Sequence, residues 1–297
     1  METIHKTVLL KETIEGLNLQ EGAVVIDGTF GGGGHSAEIC KNYKGIKIIA
    51  IDQDKSAFEK AESKFKDLDC KVVLKNINFG NLDQALEDGE KVDGIILDLG
   101  LSSDQLGNSG RGFSFMKDEP LLMTMKENPQ PEDLTARDAV NAWSEENLAD
   151  VIYGYGEERF SRRIAKAIVE RRKEAPIETT FDLVKIIEKS VPAAYRRGRL
   201  HFATKTFQAL RIAVNDELGV LQMGLEKGLG VLKKGGRMSV ISFHSLEDRI
   251  VKKFYKIKEK EGEVKLVNKK PILASEQEIR DNPRSRSAKL RILEKIN

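Results

Sequence analysis

The segment IDGTFGGGGHS, Ile26 to Ser36, sets four consecutive glycines and an imidazole just after an acid. Glycines permit tight turning and let a ligand come close to the backbone. With a buried strand before and a helix after, such a turn holds a nucleoside cofactor in an open α/β sheet. Asp52 ends the next apolar run, where a carboxylate meets ribose hydroxyls. Asp98, where a later apolar run gives way to DLGLSSDQL, lies at the sheet edge where ligands bind and can accept hydrogen bonds from a substrate amine or from the cofactor. Phe79, closing a third run, offers a face to a purine. In ISFHSLEDR, His244 or Ser245 is placed to touch a base drawn out of its stack or the loop carrying Asp98.

Two cofactors share this layout. Gly32, Gly34 and Ala37, with Asp52 twenty residues beyond Gly32, satisfy the weaker dinucleotide fingerprint and point to NAD. Asp27, just ahead of the glycines, points instead to S-adenosylmethionine: a carboxylate there attracts a cationic methionyl group and repels a pyrophosphate.

These residues need a frame to hold them. AVVIDGTF, KIIAIDQD, KVVLKNINF and VDGIILDLG are short, rich in Val and Ile, and about 20 residues apart, the rhythm of βαβ units with parallel strands buried on both faces. KSAFEKAESKF fits a connecting helix. From Gln105 the rhythm stops; five of the seven prolines and the single tryptophan, Trp143, fall between 105 and 200. SEENLADVIYGYG reads as a capped helix, residues 160–172 as a second and TTFDLVKIIEKSVP as a third. One long helix is expected over 204–230, followed by a buried strand in LKKGGRMSVISFHS. The expectation is a doubly wound α/β sheet with an inserted helical domain: 1–105 and 206–297 for the sheet, 106–205 for the insertion.

The chain has 297 residues, 40% apolar and 32% charged, enough to bury a core. No apolar run reaches the length of a membrane span and no secretory leader is evident, so a cytoplasmic protein without a membrane is expected. Cys40 and Cys70 lack metal spacing and are expected as buried thiols, with no metal site. The net charge of +2 hides a split: −13 over residues 1–157 and +15 over 158–297. A positive face suits a polyanion such as nucleic acid. The candidate phosphate contacts are Arg111; Arg159, Arg162, Arg163 and Lys166 on one helix; Arg196, Arg197 and Lys205 in RRGRLHFATK; and Arg284 and Arg286 in PRSRSAKLR.

Blocks spread over nearly the whole chain resemble the bacterial small-subunit ribosomal RNA cytosine-N4 methyltransferases, the MraW-like methyltransferase H family. They are HKTVLLKE from His5, IDGTFGGGGHS, AIDQD, DLGLSSDQL, RGFSF, YGEERFSRRIAKAIVERR, TKTFQALRIAVNDEL, GGRMSVISFHSLEDRIVKKF and NPRSRSAKLRILE. The resemblance implies a class I (Rossmann-like) methyltransferase fold, S-adenosylmethionine as donor, and a cytidine of 16S rRNA in the small ribosomal subunit as acceptor. It also implies donor contacts from Gly33, Gly34 and His35, from Asp52, from Phe79, and from Asp98 and Gln105. Asp98 and His244 are then the candidate catalytic residues. The chain departs from the family pattern at Glu119, Leu122, Thr124 and Lys126, and at Phe202 and Lys205, positions that bear on RNA contact. An NAD-linked oxidoreductase and a non-catalytic ribosome assembly factor are the alternatives.

Overall fold

The computed structural model describes residues 6–59 and 61–297; His5 of the first block and Lys60 of the expected connecting helix lie outside them. The chain forms two compact units, one from the described residues of Met1–Gly100 with Leu218–Asn297, the other from Leu101–Glu217.

In the first unit α1 (Leu10–Leu17) precedes β1 (Val24–Asp27), α2 (Gly34–Asn42), β2 (Ile46–Ile51), α3 (Ala61–Phe65), β3 (Cys70–Lys75) and β4 (Val92–Asp98). The second unit holds α4 (Ser103–Gly107), α5 (Ala136–Ala142), α6 (Glu145–Gly156), α7 (Ser161–Arg172), α8 (Thr180–Ser190), α9 (Ala193–Arg196) and α10 (Thr204–Asn215). The first unit resumes within α11 (Glu217–Val231) and continues through β5 (Leu232–Ser242), α12 (Ser245–Lys260), β6 (Val264–Leu266), β7 (Ile272–Leu273), α13 (Glu276–Asp281) and β8 (Lys289–Lys295).

The strands make one sheet in the order β3-β2-β1-β4-β5-β8-β6, parallel through β5, with β8 antiparallel to β5, β6 and β7. Side chains alternate between its faces, and both faces are covered. Ile26, Ile95 and Leu97 pack with Leu221, Leu225 and Leu229 of α11. Val25, Ile48 and Ile96 pack on the other side with Ile14, Leu17 and Ile39 of α1 and α2. The order reverses between β1 and β4, so the loops after these two strands open at the point where such sheets bind ligands.

In the helical unit Ser144 caps α6 by accepting from the Asn147 N–H, and Thr179 and Asp182 form a reciprocal capping box on α8. Leu148, Ile152, Ile164, Ile168, Leu183 and Ile187 meet in its core.

Four expectations change. The long helix over 204–230 is two helices, broken at Asp216 with φ +46°. Arg211 grips Glu217 through two bonds of 2.7 and 2.8 Å across the break, and the Asn215 amide binds the Met125 N–H and the Met123 carbonyl. Phe207 and Leu210 sink into the helical core, so residues 206–217 group with the second unit and the chain returns to the sheet at 218, not 206. KSAFEKAESKF is a 3-10 turn plus the short α3, because the Asp54 carboxylate captures the Ser56 N–H and hydroxyl. Cys40 and Cys70 are joined in a disulfide rather than free: α2 and the start of β3 bring their Cα atoms to 5.7 Å. The terminal hairpins β6 to β8 were not anticipated, and they absorb part of the basic PRSRSAKLR run, since Lys289 and Arg291 pair with Asp248 at 3.1 and 2.7 Å. Among the described residues no helix is long and apolar enough to cross a membrane.

Candidate active site

The turn after β1 is built from backbone strain and one buried acid. Gly33 caps α2 at φ +64°, a conformation costly for residues bearing a Cβ. A Cβ on Gly34 would collide with Thr7 Oγ1. Asp27 is 1% exposed; it accepts from the Ser36 hydroxyl at 2.6 Å and the Thr29 N–H at 3.4 Å. Burial pushes its pKa up, opposed by the Ser36 bond and by His35. Asp27 therefore ties the turn to α2 from inside. Lys64 secures the far side through the Gly32 carbonyl.

Asp52 accepts the Gly31 N–H at 2.8 Å and the Asp54 N–H at 2.9 Å. Burial raises its pKa to about 6 against the pull of those two bonds. Each oxygen retains a lone pair for a further donor. Phe79 is half-buried, its ring backed by Gly224 of α11, where any Cβ would press on it.

Asp98 is fixed by its backbone: its N–H donates to Thr29 Oγ1 at 2.6 Å, while Gly28 donates to the Ile96 carbonyl, stitching the two switch-point loops together. Its carboxylate stands 3.5 Å from Nε2 of His35. Both His35 nitrogens and Asp98 Oδ1 are buried without a hydrogen-bond partner. Buried polar groups in folded chains are nearly always hydrogen-bonded, so this cluster beside the glycine turn calls for a partner from outside the chain.

His244 stands at the start of α12. Its Nδ1 accepts the Glu247 N–H, and the Glu247 carboxylate accepts the Phe243 and His244 N–H groups, a capping box on α12. Nδ1 of the imidazole thus serves the helix end, while Nε2 is buried without a hydrogen-bond partner, 3.0 Å from Glu247 Oε1. Gln105 exchanges bonds with Ser102 at the start of α4, in the second unit.

The basic candidates divide. Arg159, Arg162, Arg163, Lys166, Arg197, Arg284 and Arg286 are exposed. Arg196, also exposed, meets Glu188 at 3.2 Å and Lys205 binds the Glu157 carbonyl. Arg111 is 7% exposed, donating to the Met125 carbonyl, with its guanidinium 5.5 Å from the Phe113 ring. It is held within the helical unit by these contacts. Sequence reasoning missed Thr29, Ser36 and Lys64; hydroxyls beside a glycine turn were the available signal for the first two.

Residues 2–296 match the MraW methylase family. The chain belongs to that family. A ribosomal RNA small subunit methyltransferase H of Clostridium botulinum (strain Kyoto / Type A2) is 50% identical over the whole of both chains. That of Lactobacillus johnsonii is 46% identical, again over the whole of both. A solved rRNA methylase from Streptococcus thermophilus is similar at 13% identity and a TM-score of 0.45, covering 99% of this chain and 100% of its own. An MraW methylase is a methyltransferase that uses S-adenosylmethionine, so the family resemblance read from the sequence blocks is borne out. Membership favours methyl transfer over both the NAD-linked oxidoreductase and the non-catalytic assembly factor.

The described residues suit that donor. Gly33 and Gly34 leave backbone open where side chains would intrude, Asp52 offers acceptors for a ribose diol, and the orphaned Asp98 oxygen suits an ammonium or amine.

Proposed function

We propose that this protein methylates the N4 amine of a cytidine in the decoding region of 16S rRNA, acting in the cytoplasm on the small ribosomal subunit. The observation that carries the reading is Asp98: a carboxylate at the sheet's switch point, one oxygen buried and unpartnered, beside a glycine turn in a chain of this family.

S-adenosylmethionine supplies a methyl group on a sulfonium, already a good leaving group. Gly33, Gly34, His35, Asp52 and Phe79 would hold it, and the alignment they impose would account for most of the acceleration. The cytosine amine is the weaker partner, because its lone pair is delocalised into the ring. Asp98 accepts an N–H from that amine, turns the lone pair toward the methyl group, and stabilises the positive charge that develops on nitrogen. The proton then leaves toward the same carboxylate. Exposed arginines of the helical unit and of the Pro283–Ser287 turn bind phosphates, and the target base leaves its stack to be reached.

The test is transfer of labelled methyl groups to small subunits from cells lacking the gene, with the product located by mass spectrometry of RNA fragments. Incorporation at N4 of one cytidine is expected; no incorporation by well-folded protein that binds S-adenosylhomocysteine would sink the reading.

A further inference from the structure

The helical unit carries a cation seated on aromatic rings. The Arg159 guanidinium lies 4.7 Å from the centre of the Phe160 ring and 5.2 Å from that of Tyr195; Arg163 lies 5.7 Å from Phe160. The two rings meet edge to face at 5.0 Å. Arg159 is exposed.

Glu158 is fully buried and accepts both the Phe160 N–H, at 2.8 Å, and the Tyr195 hydroxyl. Burial and that bond push the tyrosine pKa up, and the bond itself holds the ring in place. The adjacent acid is thus turned inward to brace the aromatic seat beneath the guanidinium.

We infer that Arg159, on its Phe160–Tyr195 seat, is a stacking subsite for an unpaired nucleobase of the RNA substrate. The inference rests on the proposed function and names one element of substrate recognition. A bare phosphate site needs only charge, which a lysine or mobile arginine supplies. A flat cation held by rings adds a π surface. Nucleotides match both properties, and only an unpaired base presents a free face, because bases in a duplex are stacked on both sides. Arg163 supplies further positive charge beside the seat.

The test compares the full chain with Arg159→Lys, which keeps the charge and removes the plane. The probes are a 12-nucleotide single-stranded RNA carrying 2-aminopurine and the blunt duplex of the same sequence, followed by anisotropy at several salt concentrations. Melting temperature and S-adenosylhomocysteine binding serve as folding controls.

The expected result is an approximately tenfold loss for the single strand, an unchanged salt slope, duplex affinity within about twofold, and loss of the 2-aminopurine quench seen with the parent protein. Equal affinity and quench for both proteins, equal losses on both RNAs, or a parent protein that prefers the duplex would each overturn the subsite. If small-subunit methylation and RNA binding proceed while the substitution changes nothing, the subsite alone falls. If the parent protein neither methylates nor binds small-subunit RNA, the functional reading falls with it.

Discussion

Nε2 of His35 stands 3.5 Å from Oδ2 of Asp98, and neither imidazole nitrogen nor the other carboxylate oxygen has a hydrogen-bond partner. A buried imidazole with nothing to bind adds little to stability and costs desolvation. His35→Leu is therefore expected to melt at the same temperature or higher, while methyl transfer falls at least about tenfold. Parallel calorimetric melting and single-turnover assays check the pair; a large loss of stability would show that His35 serves packing alone.

Asp98→Asn keeps the backbone bond to Thr29 and removes the charge. Loss of a stabilising charge beside the developing cation predicts a fall in the methyl-transfer rate of about a hundredfold. Single-turnover measurement at saturating donor reads that rate, and a change confined to donor affinity would assign Asp98 to the donor instead.

Donor binding should weaken in mild acid through Asp52. Burial raises its pKa to about 6, and Asp54 and Asp27 push in the same direction. The ionised form is the better acceptor for ribose hydroxyls, so affinity for S-adenosylhomocysteine is flat above pH 7 and falls as pH drops through 6. At pH 5 the loss is about tenfold. Calorimetric titration across this range measures it, and Asp52→Asn should flatten the profile.

Gly34→Ala places a methyl group against Thr7 Oγ1. Overpacking of this kind costs about 1–3 kcal/mol, measurable by denaturant unfolding. Adding Thr7→Ala should recover part of that loss.

The Cys40–Cys70 bond closes a sequence separation of 30 residues. Chain-entropy arguments give about 3–4 kcal/mol for such a loop. Protein purified under oxidising conditions should show no free thiol when denatured, two after reduction, and a lower melting temperature once reduced.

Local pattern made the sheet and its binding edge legible. Val- and Ile-rich runs at regular spacing announce buried parallel strands, and the glycine turn between such a run and a helix announces a nucleoside site, because both are short-range necessities of backbone geometry. Asp52 and Asp98 follow from their places at strand ends. The cap at Ser144 was equally readable, since a cap acts within three residues.

What escaped was whatever depends on partners distant in sequence. The helix break at Asp216 is held by groups as far away as Met123. Cys70 meets Cys40 because β3 pairs beside β2. Arg111 looks like any surface cation until Met125 accepts its bond.

The sequence alone determined the fold class, the family and the sheet edge where the chemistry sits, because periodicity, glycine turns and strand-end acids are written locally. The tertiary structure alone decided which acid is sealed and which is open: Asp27 is closed by Ser36 and Thr29, whereas Asp98 keeps a bare oxygen. Residue type is the same at both positions; burial and the available hydrogen-bond donors make the difference.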